Sequence, residues 1–366
     1  MISLKPFRAV RPSAAKAREF SVPRLDHLPT ADRASLAAAQ PRSLAALLQD
    51  GSADGLSAWL EAKSLIRHAE PTMYMHRHVR AGERCTGVVA LVEARSFTDG
   101  PIRAHRAREG VDAAAHAHLR ADSVIVGYED DAAIQDLVER EVNDRPLFHV
   151  LADDGATHTL WAGTRAPAVA EAFARVSRAL VLEGDARLPG SPLEAPVLTL
   201  LLPLSQVRVR SSMAVVSGAA ADTLRDHLQG LPALEGEPSE PPPGFVDAQW
   251  GTKDGMSTRR RLQLPAPQRT GLAADALSHG RLMHWLQACG LGGNPLTWRP
   301  GVASSPGAAP APHEVLLALP RPSMAELLQV AGEGTPLPSG STWVEPRIRS
   351  GLWMAERSEA ATTIAE

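Results

Sequence analysis

Three stretches carry residues whose type and spacing could hold an anion. In GPIRAHRAREG (100–110), His105 stands among Arg103, Arg106 and Arg108, just after a strand-like run and a glycine. Guanidiniums gathered around an imidazole favour a phosphate or carboxylate through charge-assisted hydrogen bonds; an exposed basic loop is the other reading. In LVLEGDARLPGS (180–191), an apolar run ends in Glu183 and Gly184, followed by Asp185, Ala186 and Arg187. A strand end, a glycine turn and an arginine three residues on form a place where α/β proteins bring backbone amides to an anion. In STWVEPRIRSGLW (341–353), Glu345, Arg347 and Arg349 alternate with Val344, Pro346 and Ile348. On a strand those three charged side chains share one face at about 7 Å spacing. They would serve either as a cross-strand ionic ladder, with Trp343 and Trp353 closing the core, or as the wall of a binding site.

Other chemistries lack their signatures. GLGGNP and GTKDGMST do not end in the GK[ST] of a phosphate loop, and neither G-x-S-x-G nor H-E-x-x-H occurs. His116 and His118 lie two apart on an expected helix, about 200° apart around its axis, so they cannot chelate one metal together. Arg259, Arg260 and Arg261 form a basic run without interleaved aromatics, which reads as a solvated strand end rather than a nucleic-acid surface. The formal net charge is −3, so no global field favours nucleic acid or an anionic membrane.

The elements that must position these residues follow from pattern. TMYMHRHV, RCTGVVALVEA and SVIVGYED read as strands, and PLFHVLADDGATHTLWA (146–162) as a hairpin turning at Asp153-Asp154-Gly155. Helices are expected from Thr30 to Pro41, over 52–67, over AAIQDLVEREV, over 166–180 with Val169, Phe173, Val176 and Leu180 on one face, over AADTLRDHLQG, over LAADALSHGRLMHWLQACG and over SMAELLQVAGEG. APVLTLLLP, QVRVRSSMAVV, STRRRLQL and EVLLALP are further strands. The mixture predicts an α/β or α+β fold on a mixed sheet with flanking helices. At 366 residues, with 44% hydrophobic and 22% charged residues, the chain has room for two domains. The expected division is an N-terminal α/β region (1–230), a Pro/Glu-rich linker or loop (231–244) and a C-terminal α/β region (245–366) packing back on the first. No run reaches the roughly 18 apolar residues of a membrane span, and the N-terminus lacks the apolar core of a signal peptide. Cys85 and Cys289 are therefore expected as free thiols in the cytoplasm.

Several of these segments resemble an uncharacterised family of bacterial and archaeal proteins, labelled ParB/RepB-like. Its opening KPF.A.RP is similar to Lys5-Pro6-Phe7 through Arg11-Pro12. Its PPYD falls on Pro23-Arg24-Leu25-Asp26, where only the first proline position and the aspartate agree. Its G-I-x-x-H-E-x-T-R falls on Gly100 to Arg108, with Arg106 in place of the glutamate. Its DDG..HTLW matches Asp153 to Trp161, and its STWFEPKLRSGL matches Ser341 to Leu352 almost throughout. The family's DGHHR, which looks like the nucleotide-phosphate signature of ParB and sulfiredoxin-type proteins and of a free-serine kinase, becomes Glu183-Gly184-Asp185-Ala186-Arg187 here.

The resemblance implies a ParB/sulfiredoxin-like core with a phosphate cradle at that strand end, and the departures imply that the cradle has degenerated. Both histidines are gone, and Asp185 brings negative charge toward a phosphate. Pro189, Gly190 and Pro192 cannot continue the helix that follows in the family. Ala214 stands where its NRVV has arginine. The expectation is a divergent, non-catalytic member that binds a partner protein or a small anion, with Gly184, Arg187, Arg347 and Arg349 as anion-binding candidates and no resident cofactor or metal. The alternative is nucleotide-dependent phosphoryl transfer to a small amino-acid-like substrate such as serine, using ATP, ADP or CTP with Mg²⁺. Asp26, His105 and Glu183 would then be the catalytic candidates. DNA binding is disfavoured by the charge and by the lack of a helix-turn-helix signature.

Overall fold

Valine- and leucine-rich runs pair into one large sheet in the computed structural model, which describes all residues except 26–27, 29, 106–118, 185–194, 236–238, 252–256, 268–270, 294–295, 302–309, 339–340 and 358–366. The contact pattern divides the chain into two units. The first comprises Met1–Arg103, Gly110–Val207 and Pro346–Glu366; the second comprises Ala104–Glu109 and Arg208–Glu345. The Pro/Glu-rich segment 231–244 lies inside the second.

The large sheet has nine strands, and the fold is mixed α/β as expected. Its path runs Ile102–Ala104, Ala179–Glu183, Val124–Tyr128, Val197–Pro203, Glu83–Val92, Tyr74–Arg80, Thr157–Ala162 and Phe148–Leu151, with Leu4–Lys5 paired beside Glu83–Val92. Val197–Pro203 runs parallel to Val124–Tyr128 and antiparallel to Glu83–Val92. Tyr74–Arg80 and Glu83–Val92 turn through Ala81 and Gly82, at φ 50° and 81°. That pair of positive angles is what a tight two-residue hairpin requires.

Strand alternation gives this sheet two unlike faces. One carries Met75, Val88, Val126 and Leu201, packed against Ile134 and Val138 of the helix Ala132–Glu141 and Val169 and Phe173 of the helix Ala166–Ala174. The other carries Tyr74, His76 and His78 from one strand, with His158 and Cys85 directly opposite His78 on its two neighbours. A separate apolar cluster in the same unit joins Phe20, Leu44, Leu47, Leu65 and Met354, fed by the helices Leu44–Asp50 and Ala53–Glu61.

In the second unit, five antiparallel strands are ordered Ser257–Gln263, Phe245–Gly251, Glu314–Leu319, Ser212–Ser217 and Thr297–Pro300. Ala214 and Val216 pack with Leu224 and Leu228 of the helix Ala219–Leu228 and with Leu282 and Leu286 of the helix Ser278–Ala288. The helix Met324–Glu333 begins with a complete capping box between Ser323 and Glu326.

Four expected elements end differently. The helix expected over 52–67 stops at Glu61, because Lys63 turns at φ 53° and Leu65–Arg67 then pairs as a strand with Val10–Pro12. The helix expected over 166–180 stops at Ala174, and Leu180 is buried in the strand Ala179–Glu183 instead. The long helix near 272–290 breaks at Leu277, whose extended ψ of 153° separates Ala273–Ala276 from Ser278–Ala288. The closing strand covers only Trp343–Glu345, since Pro346 has no N–H to continue the ladder. Trp353 is buried as expected, whereas Trp343 is only partly so. The helix expected to hold His116 and His118, and the turn after Gly184 expected to have lost its helix, lie outside the described residues. Among the described residues no helix is long and apolar enough to cross a membrane. Cys85 and Cys289 are both free thiols.

Candidate functional site

The strand Ala179–Glu183 slips register against Val124–Tyr128 between Val181 and Glu183. Such a bulge re-aims the side chain at a strand end. Gly184 follows at φ 83°, and a Cβ there would stand 3.2 Å from Arg24 Nη2 and 3.3 Å from Val124 Cα. Glycine is thus required by the backbone angle and also leaves room for a guanidinium.

Glu183 is the centre of this place. Its side chain is only 5% exposed, and it faces two arginines from remote parts of the chain. Arg24 Nε lies 3.6 Å from one carboxylate oxygen, and Arg347 Nη1 lies 3.1 Å from the other. Arg24 is itself 5% exposed and donates from Nη1 to the carbonyl of Ser123 at 3.0 Å. Arg347, 22% exposed, is held at the rim. The segments around these residues are tied to one another: Ser350 bridges backbone-to-backbone with Val22, accepts from the Leu25 amide at 3.2 Å, and donates to Asp122. The N-terminal segment near Pro23, the start of the strand Val124–Tyr128, the end of Ala179–Glu183 and the C-terminal segment from Pro346 therefore converge.

Two further buried arginines border the cluster. Arg349 donates to the Ser21 carbonyl at 2.6 Å, and burial lowers its pKa from the ordinary value, with Asp154 and Asp153 opposing. Arg120 donates to the Pro196 carbonyl at 3.3 Å, and burial brings its pKa down to about 10.

The expected site residues are thus distributed unevenly. Glu183, Gly184 and Arg347 come together, and Arg349 lies two residues from Arg347 but is committed to Ser21. His105 belongs to the second unit, where its Nε2 is 2.8 Å from Thr342 Oγ1 and its carbonyl accepts from Leu337. Asp26, Arg106, Arg108, Asp185 and Arg187 lie outside the described residues. The ladder expected of Glu345, Arg347 and Arg349 forms only at Glu345, which pairs with Arg210 at 2.7 Å on the strand beside it. With the strand ended at Pro346, the two arginines take other partners.

Sequence reasoning missed Arg24, which was visible only as a departure from PPYD. It also missed His76, His78 and His158, whose every-other-residue spacing in YMHRHV places two of them on one sheet face. A serine–histidine contact in the second unit has no catalytic geometry. His279 Nε2 is 3.2 Å from Ser212 Oγ but also 3.0 Å from the Ser341 carbonyl, which can only accept. That nitrogen therefore carries the proton and cannot take one from the serine. Burial also pushes the ring's pKa down to about 4. Among the described residues, no group of three or more His, Cys, Asp or Glu side chains could hold a metal ion.

Residues 4–184 match the model of the family described as Protein of unknown function (DUF1015). The matched stretch ends on Gly184, so it contains Arg24 and Glu183 and stops short of Arg347. A family of unknown function was expected from the sequence, and this match supports it. No curated protein matches the chain. Among solved structures, the chain is similar to SbnI with C-terminal truncation from Staphylococcus aureus, at 13% identity and a TM-score of 0.42, covering 75% of this chain and 89% of that one.

Proposed function

We propose that this chain acts by binding, and that its first unit holds a small anion at the arginine pair around Glu183. The carrying observation is one nearly buried carboxylate placed between two guanidiniums. Guanidiniums recognise phosphates and carboxylates, and Arg347, held at the rim and 22% exposed, can reach one arriving from solvent. A small anion beside Glu183 would accept charge-assisted hydrogen bonds of about 1.5–3 kcal/mol each from these arginines. In this reading Glu183 is an internal anion that shares both arginines with the ligand. The ParB/RepB-like label and a ParB/sulfiredoxin-like core fit an ancestral phosphate site that has degenerated here, and a cytoplasmic location fits a chain with free thiols.

The phosphotransfer alternative, with ATP, ADP or CTP and Mg²⁺ and a serine-like substrate, asks Glu183 to act as a general base. Both of its oxygens face guanidiniums, which suits a fixed carboxylate better than one that must accept a substrate proton. Calorimetry at low salt separates the readings. Inorganic phosphate should bind, and Arg24→Ala and Arg347→Ala should each weaken it by roughly 10-fold or more. ATP with Mg²⁺ should bind no more tightly than phosphate and should phosphorylate no free amino acid. Absence of phosphate binding, or binding indifferent to both substitutions, would refute the anion site; turnover of ATP would promote the enzyme.

A further inference from the structure

Three imidazoles are buried together on the polar face of the nine-stranded sheet. His76 Nε2 lies 3.1 Å from His158 Nδ1, with the rings stacked at 5.3 Å, and His78 meets His158 edge-on at 5.1 Å. Trp353 closes over His76 at 4.7 Å. The remaining nitrogens, His76 Nδ1 and His158 Nε2, are buried with no hydrogen-bond partner. Whichever ring donates across the 3.1 Å contact, one outer nitrogen then carries a proton without an acceptor and the other a lone pair without a donor. Both groups would gain partners on exposure to water, and the lone pair would gain a proton as well.

The charged surroundings oppose a proton inside the fold. His158 faces His78 and Arg349, which disfavour its charged form, and Asp154, which favours it. His76 faces His158 and His78. Asp153 is paired with Arg18, and Cys85, opposite His78, is kept a neutral thiol by burial. Burial is the largest cause for both rings, taking His76 well below the usual range and His158 down to about 3.

We propose that acidification releases the C-terminal segment 346–354 from the first unit, with His76 and His158 as the trigger. The strands holding the imidazoles are fixed by continuous ladders: Tyr74–Arg80 pairs on both sides along its length. The segment carrying Trp353 is attached by isolated bridges at Val22–Ser350 and Val10–Met354 and by side-chain contacts. Local opening takes the path with the fewest backbone bonds to break, so the segment gives way before the sheet. Its departure hydrates both rings and lets them charge. It also withdraws Arg347 from Glu183, so an anion bound there would oppose the release, although the release itself needs no ligand.

Hydrogen exchange on the full chain at pH 7.5 and pH 5.0, with exchange times scaled for the intrinsic rate, tests this directly. Protection of peptides covering 346–354 should fall about 30-fold if one ring takes a proton on release and about 10³-fold if both do, while 88–92 stays protected. His158→Gln should reduce the fall to that of a single ring. Unchanged protection of 346–354 at pH 5.0, or its loss only together with 88–92, would overturn the proposal.

Discussion

The two faces of the nine-stranded sheet are built on opposite terms. One is closed by apolar packing, with Phe173 edge-on to Tyr128 at 4.9 Å and two helices supplying the rest. The other sets Glu183, at a strand end, and three buried histidines among the equally buried Val89, Leu160 and Leu200. Apolar burial carries no group that titrates, whereas buried polar groups hold only while their charge states are right. The first face supplies the rigidity that the second draws on, and any response to solution conditions belongs to the second.

The sharpest break of this comparison pairs Glu183→Ala with Phe173→Ala. Glu183→Ala leaves two guanidiniums without their carboxylate and should destabilise the fold by about 3–5 kcal/mol. Phe173→Ala should cost about 3–5 kcal/mol through a cavity. Urea unfolding would distinguish them by rescue: phosphate should recover part of the Glu183→Ala loss and none of the Phe173→Ala loss.

Acidification comes next. His76, His158 and His279 are neutral in the fold and would take protons near pH 6.5 once exposed. Their contribution is complete above that pH and is lost as the pH falls, down to about 3 for His158 and about 4 for His279. Each ring steepens the loss by about 1.4 kcal/mol per pH unit within its window. Chemical unfolding at pH 7.0, 6.0 and 5.0 should show the trend, and His158→Gln should flatten it by one ring's share. The smallest effect is at Cys85, whose burial raises the thiol to about 12. The folded protein should leave it unmodified by iodoacetamide at pH 8, as read by mass spectrometry, with labelling appearing only in denaturant.

Much of the apolar face was legible because valine and leucine runs announce strands, and 3.6-residue spacing announces the helices that cover them. Element ends were not legible: Lys63 at a positive φ and the break at Leu277 are local turns that no periodicity marks. The polar face was half legible. Glu183, Gly184 and Arg347 stood out by type and by resemblance, yet their contacts span more than a hundred residues of sequence. Arg24 carried no signal except a mismatch. The histidines had the right alternation, but burial of two of them depends on His158, some eighty residues away, and on Trp353. Pro346 was in plain view and sufficed to break the expected ladder, had its missing N–H been weighed above the alternation of charges.

If Glu183 occupies, as an internal anion, part of the charge that Arg24 and Arg347 offer to a ligand, neutralising it frees that share. The most direct test is the shift in melting temperature on adding inorganic phosphate, compared between the wild type and Glu183→Gln. The substitution keeps the side chain's shape and an acceptor oxygen while removing the competing charge. The variant should melt lower alone but gain more from phosphate than the wild type does. An equal or smaller gain in the variant would contradict it.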